Sequence, residues 1–91
     1  MKVKVRGKFW NLVFTAKGLP ENTRGLCDPP TAKNKTIRIE PGQTPLLELD
    51  TIIHELIHAG LWDLDEEAVE ELATDITVIL DRLGYRRISD D

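Results

Sequence analysis

Thr44-Pro45-Leu46-Leu47-Glu48-Leu49-Asp50-Thr51-Ile52-Ile53-His54-Glu55-Leu56-Ile57-His58-Ala59-Gly60-Leu61 holds an apolar run, Leu46 to Leu61, whose spacing reads as helix rather than strand and which contains His-Glu-x-x-His. Thr44 stands where an N-cap belongs, and Pro45 occupies the first helical position, where its missing N–H costs nothing. Glu48 suits the positive end of the helix dipole, and Gly60 helps to end the helix near Leu61-Trp62. Residues four apart on a helix lie one above the other, so the imidazoles of His54 and His58 can converge on one ion. Neutral imidazole suits zinc, and two nitrogen ligands from one turn supply half of a tetrahedral site. Glu55 projects beside the pair. There it can act as general base toward a water whose pKa the ion lowers from about 15.7 toward about 7.

The plainer readings are a structural pair of core histidines and a decayed motif that keeps the shape without the ion. Two features weigh against them. Both histidines of the chain fall within the motif. Leu49, Ile52, Ile53, Leu56, Ile57 and Leu61 surround them with apolar positions on nearly every side, which predicts a helix buried in the centre of the domain. Two buried imidazoles with a carboxylate between them are costly to desolvate unless something binds them.

Working toward the C-terminus, Asp63-Leu64-Asp65 turns the chain, and a second helix is expected over residues 65–83, with Gly84 just past its end. Its expected inward stripe is Ala68, Val69, Leu72, Ala73, Ile76, Ile79, Leu80 and Leu83. So short a connection makes the two helices antiparallel neighbours. Positions level with the histidines then fall in the first two turns, which hold Glu66, Glu67, Glu70 and Glu71, and one of these can complete the site. Glu67 projects most nearly outward, Glu66 and Glu70 border the Val69-Ala73 side, and Glu71 with Asp75 borders the Ala68 side. Most of this acidic run is simply solvated and favourable to the helix dipole, and spacing alone leaves the choice open.

Working toward the N-terminus, residues 35–40 alternate apolar and charged side chains and stop at Pro41-Gly42, which predicts a strand. Residues 3–6 alternate as well, and 8–14 are rich in β formers, so they read as one strand kinked at Gly7 or as two short ones. Residues 17–25 form a loop by their Gly, Pro and Asn content, and Leu26-Cys27-Asp28-Pro29-Pro30 reads as a further break. Net charge is -4, with the acid concentrated between Glu48 and Glu71. The first 38 residues, by contrast, set Lys2, Lys4, Arg6, Lys8, Lys17, Arg24, Lys33, Lys35 and Arg38 against only Glu21 and Asp28. Such polarity could offer a basic surface to nucleic acid or an acidic partner, but alternation with Val3, Val5 and Gly7 fits a solvated strand face better.

The 91 residues are expected to form one domain, near the size at which a single core barely suffices, so a bound metal would also bear on stability. Hydrophobic content of 41% with 31% charged residues confines expected disorder to the Ser89-Asp90-Asp91 tail. Cys27 is alone. No intramolecular disulfide can form, and a reducing cytoplasm fits. A turn around Cys27 and better-employed histidines argue against a catalytic thiol. The N-terminus lacks an apolar leader segment, and no stretch reaches the roughly 18 apolar residues of a membrane span.

The order strand, loop, strand, His-Glu-x-x-His helix, glutamate-bearing second helix resembles the minimal zinc-peptidase core of the gluzincin type. It is similar, more closely, to small HExxH proteins of bacteriophage genomes and to the ImmA/IrrE and SprT-like groups. The resemblance covers about residues 25–87 and rests on 50–59 and on the pattern beginning at Glu66. It implies an α+β fold, with a small antiparallel sheet packed on the active-site helix and a second antiparallel helix in one zincin-like domain over 1–91. It implies a zinc-dependent peptidase in the cytoplasm, that of the host cell if phage-encoded. In the ImmA/IrrE group the second helix carries Glu-x-x-Ala-Asn/Asp-x-Phe-Ala, its leading glutamate binding zinc. Glu66-Glu67-Ala68-Val69-Glu70-Glu71-Leu72-Ala73 fits that frame with Val, Glu and Leu substituted, which selects Glu66 as third ligand beside His54 and His58, with Glu55 as base. A second alignment sets Glu71-Leu72-Ala73-Thr74-Asp75 on the Glu-x-x-x-Asp of larger gluzincins, whose inter-helix link is much longer. SprT-type enzymes use a third histidine, which this chain does not have. The family also implies an extended peptide substrate pairing along the strand near Ile37. A large second lobe and a tyrosine near the site are missing, so a zinc-stabilised, catalytically weak binding or regulatory module is the alternative.

Overall fold

The computed structural model describes residues 1–88, and the expected disorder at Ser89-Asp90-Asp91 lies outside the described residues. Strands β1 (Lys2–Val5) and β2 (Lys8–Phe14) form an antiparallel hairpin, so the chain turns back at Arg6-Gly7 instead of continuing as one kinked strand. Both turn residues have positive φ, 47° and 82°, the requirement of a two-residue turn that matches the twist of its strands. Strands β3 (Gly25–Cys27) and β4 (Thr36–Ile39) complete a four-stranded sheet of order β1-β2-β4-β3.

The fold is therefore α+β, but its sheet is mixed and not antiparallel as expected. Strand β2 runs parallel to β4, with Leu12 opposite Ile37 and Phe14 opposite Ile39. The cause lies in residues 15–35, which carry the chain from the end of β2 back to the level of Asn11 at its middle, as a parallel pairing requires. On that excursion the chain lays down β3, which pairs antiparallel with the far edge of β4. The expected peptide-binding edge near Ile37 must be corrected for the same reason. Strand β4 is paired on both sides and Ile37 is wholly buried, so the edge strand on that side of the sheet is β3.

Helix α1 (Pro45–Gly60) starts as its cap residues dictate, with Thr44 Oγ1 accepting from the Leu47 amide at 3.4 Å. Helix α2 (Glu66–Arg82) follows Asp65, whose Oδ1 accepts from the Ala68 amide at 2.8 Å. It ends on Gly84 (φ 87°), with the Tyr85 amide donating to the Leu80 carbonyl at 3.0 Å. One face of the sheet packs on α1, and α1 separates the sheet from α2. Trp10, Leu12, Cys27, Ile37, Ile39 and Ala59 form the core, with Val3, Val5, Ile52 and Leu56 packed against it. Burying α1 on nearly every side proves too strong an expectation. Its fully buried residues are Thr51, Glu55 and Ala59, while Leu49, Ile52, Ile53, Leu56 and Ile57 are half-buried and Leu61 is exposed.

The inward stripe of α2 also differs. Val69, Ala73 and Thr77 are buried, whereas Leu72, Ile79 and Leu83 are exposed. Among the described residues α2 packs against α1 alone, and one neighbouring helix covers only a narrow stripe. No helix of the described residues is long and apolar enough to cross a membrane.

Candidate metal centre

Helical spacing brings His54 and His58 together on α1, with ring centroids 4.8 Å apart and Nε2 atoms 3.1 Å apart. The turn after α1, closed by the Leu64 amide on the Leu61 carbonyl, brings the first residue of α2 back over them. Glu66 Oε1 lies 2.9 Å from His54 Nε2, and Oε2 lies 3.0 Å from His58 Nε2. His54, His58 and Glu66 are the residues among those described whose donor atoms cluster closely enough to hold a metal ion. Glu67, expected to face water, is exposed. Glu70 lines the same cleft one turn beyond Glu66, and Glu71 is exposed outside it.

Whether this donor set fits an ion can be tested by counting protons. Each Nε2 carries at most one hydrogen. If both are protonated and donate to Glu66, the 3.1 Å histidine contact has no acceptor; if one is bare, one of the three contacts has no proton. A cation between the two Nε2 atoms and the Glu66 carboxylate satisfies all three contacts at once. Tetrahedral ligands about 2.0–2.1 Å from a small divalent ion stand about 3.3 Å from one another, and here one donor atom from each of the three residues lies within 4.8 Å of the others. Burial lowers the pKa of His58 more strongly than the charge of Glu66 raises it, which favours the neutral, ligating imidazole. Trp62 meets the His58 ring edge-on at 6.3 Å.

Glu55, one residue after His54, points toward β3 and is buried. Its carboxyl pKa is pushed up to about 7, first by desolvation and then by the charge of Glu66. Gly25 provides its seat. A Cβ at that position would lie 2.9 Å from both Glu55 Cγ and Oε2. Glu55, His54, Glu66, Glu70, Asp50 and Thr51 line one cleft of about 260 Å³, closed opposite by residues 22–25. Arg24 is the cation among those lining residues. Sequence reasoning missed this second wall, because Gly25 reads as loop punctuation and its approach to Glu55 spans thirty positions of the chain. Cys27 takes no part in this chemistry. Burial, then the charges of Glu55 and Asp28, pushes its thiol up to about 12, so it stays protonated at neutral pH.

The chain matches no family model, no curated protein and no solved structure.

Proposed function

We propose that this chain is a zinc-dependent, peptidase-like protein with a zincin-like core, in which His54, His58 and Glu66 hold the ion and Glu55 is the general base. What carries the reading is the cluster of two imidazole nitrogens 3.1 Å apart, each within 3.0 Å of one oxygen of the Glu66 carboxylate, and a buried carboxylate in the same cleft. Two imidazoles and a carboxylate are a donor set suited to zinc, and three protein ligands leave the fourth tetrahedral position open, as in catalytic sites. Bound there, zinc would polarise a carbonyl and lower the pKa of a water. Glu55 takes up a proton at its carboxylate and hands it on; a carboxyl held near 7 is poised for both at neutral pH.

The edge of β3 supports an extended peptide as substrate. The Glu40 amide donates to the Arg24 carbonyl at 2.8 Å and the Asp28 amide to the Thr36 carbonyl at 3.0 Å, so residues 24 and 28 bond toward β4. By strand alternation the amides and carbonyls of Gly25 and Cys27 face outward, where a peptide can pair beside Glu55. One observation favours the module as a second reading. Tyr85 lines a cavity with Glu48 and Ile52 instead of the cleft, so no tyrosine steadies an oxyanion there.

The test measures bound zinc by mass spectrometry and hydrolysis of a random peptide library for the parent, Glu55→Gln, Glu66→Gln and Glu67→Gln. The parent should hold about one ion per chain and cleave peptides. Glu55→Gln should keep its zinc and lose hydrolysis, since an amide cannot accept the proton. Glu66→Gln should weaken zinc binding far more than Glu67→Gln, although both remove one charge from nearly the same place. A zinc-loaded parent without hydrolysis supports the module, and a parent that binds no zinc overturns both readings.

A further inference from the structure

The sheet has two faces, and α1 covers only one. On the other, strand alternation places Lys2 and Lys4 of β1 beside Asn11 and Phe9 of β2, in the pairs Lys2–Asn11 and Lys4–Phe9. All four are exposed, and Phe9 keeps 46% of its surface in water. The ring draws cations to it, with Lys2 Nζ 4.4 Å and Lys4 Nζ 5.7 Å from its centroid. Beside it lies a hollow of about 490 Å³ lined by Lys2, Phe9, Asn11 and Lys35, among others. None of Lys2, Lys4 and Lys35 is ion-paired among the described residues, and Asp28, the residue after β3, is engaged with Arg38 at 3.4 Å. The acids of the chain lie mostly on the helices, behind the opposite face.

We propose that this bare sheet face, centred on Phe9 between Lys2 and Lys4, binds single-stranded nucleic acid. The chemistry divides between ring and ammonium groups. The Phe9 ring stacks an unpaired base irrespective of its sequence as the ammonium groups that overlie it turn to the adjoining phosphates and neutralise them. Asn11 adds an amide that can meet base edges. A duplex offers the phosphates but keeps its bases stacked on one another, so Phe9 would have nothing to stack. An acidic protein segment would use the lysines and leave the ring idle. The proposal is independent of the metal centre, which lies on the other side of the sheet.

Fluorescence anisotropy with labelled dT12 and U12 oligonucleotides tests it, using the full chain at low salt. Both should bind, and log K should fall with log salt. Phe9→Leu keeps an apolar side chain and removes the ring, and it should weaken binding about tenfold. Lys2→Ala and Lys4→Ala should each reduce the salt slope by about 0.7. Circular dichroism and zinc content of each variant should match the parent, because these side chains are outside the core and the metal centre. A preference between dT12 and U12 would tell DNA from RNA as the favoured strand, with the surface upheld in either case. Absence of binding to both oligonucleotides overturns the proposal, as does a Phe9→Leu variant that binds like the parent. Equal affinity for a hairpin duplex, or for polyglutamate of matched charge, overturns it too, the latter in favour of an acidic protein partner.

Discussion

A methyl group added at Gly25 would come 2.8 Å from Thr51 Cγ2 and 2.9 Å from Glu55, contacts that folded proteins do not tolerate. Gly25→Ala must therefore move α1 away from β3 or swing Glu55 out of its seat. The expected outcome is a loss of about 1–3 kcal/mol of stability, the usual cost of overpacking. The proposed hydrolysis should fall with it, while zinc affinity stays near the parent value because the added methyl crowds Thr51 and Glu55 first. Denaturant melts and zinc titration of the variant check both halves. Unchanged stability would show that the two elements are looser than their packing indicates. Glu55 makes a second prediction through pH. Its folded pKa of about 7 lies above the ordinary 4.5, so the stability it contributes is fully present below about 4.5 and is lost as pH rises through about 7. His58, with a lowered pKa, acts in the opposite sense, losing stability as pH falls. Comparing metal-free parent with metal-free Glu55→Gln isolates the carboxyl. Between pH 5.5 and pH 8 the melting temperature of the parent should fall relative to that of the variant. Parallel curves would show that Glu55 is not strained by its burial.

Between the helices, Thr77 is the flaw in an otherwise close contact. Its Oγ1 is buried with no hydrogen-bond partner among the described residues, on the stripe where Val69 and Ala73 meet α1. Thr77→Val keeps the shape and removes the stranded hydroxyl, and it should stabilise the protein by about 1 kcal/mol, read as a rise in denaturation midpoint. A fall instead would show that the hydroxyl is satisfied in solution. The same stripe explains what the sequence revealed about α2 and what it concealed. Caps and periodicity are local, so Thr44, Pro45, Asp65 and Gly84 marked both helices within a residue or two. Which apolar side chains turn inward is set by neighbours. The small residues Ala73 and Thr77 let α1 approach, and the larger Leu72, Ile79 and Leu83 fall outside the contact. Strand β3 was illegible for a related reason. Three residues between breakers carry no periodic signal, and Gly25-Leu26-Cys27 become a strand only because β4 offers them an edge. The pairing of His54 with His58 was legible because they stand four apart on one helix, and Glu66 was singled out only by the family frame; the wall that seats Glu55 was not legible.

At the scale of the molecule, α1 is the common partner, since the sheet and α2 meet only through it. The ion proposed at His54, His58 and Glu66 would tie α1 to α2 at the one end where they are joined, adding stability in proportion to the logarithm of its concentration. His54→Ala should then lower the melting temperature of the zinc-loaded protein toward that of the metal-free parent, and an unchanged melting temperature would deny the ion any part in stability. The parallel pairing of β2 with β4 has a consequence in time. The β1–β2 hairpin and the α1–α2 pair close over short stretches of chain, whereas β2 meets β4 only after residues 15–35 have been gathered in. Closing that loop costs entropy before any contact repays it, so the two hairpins should form early and the join between β2 and β4 late. Ile37→Val would then leave the rate of folding nearly untouched and hasten unfolding, so the join that buries the centre of the sheet also sets how long the folded molecule lasts.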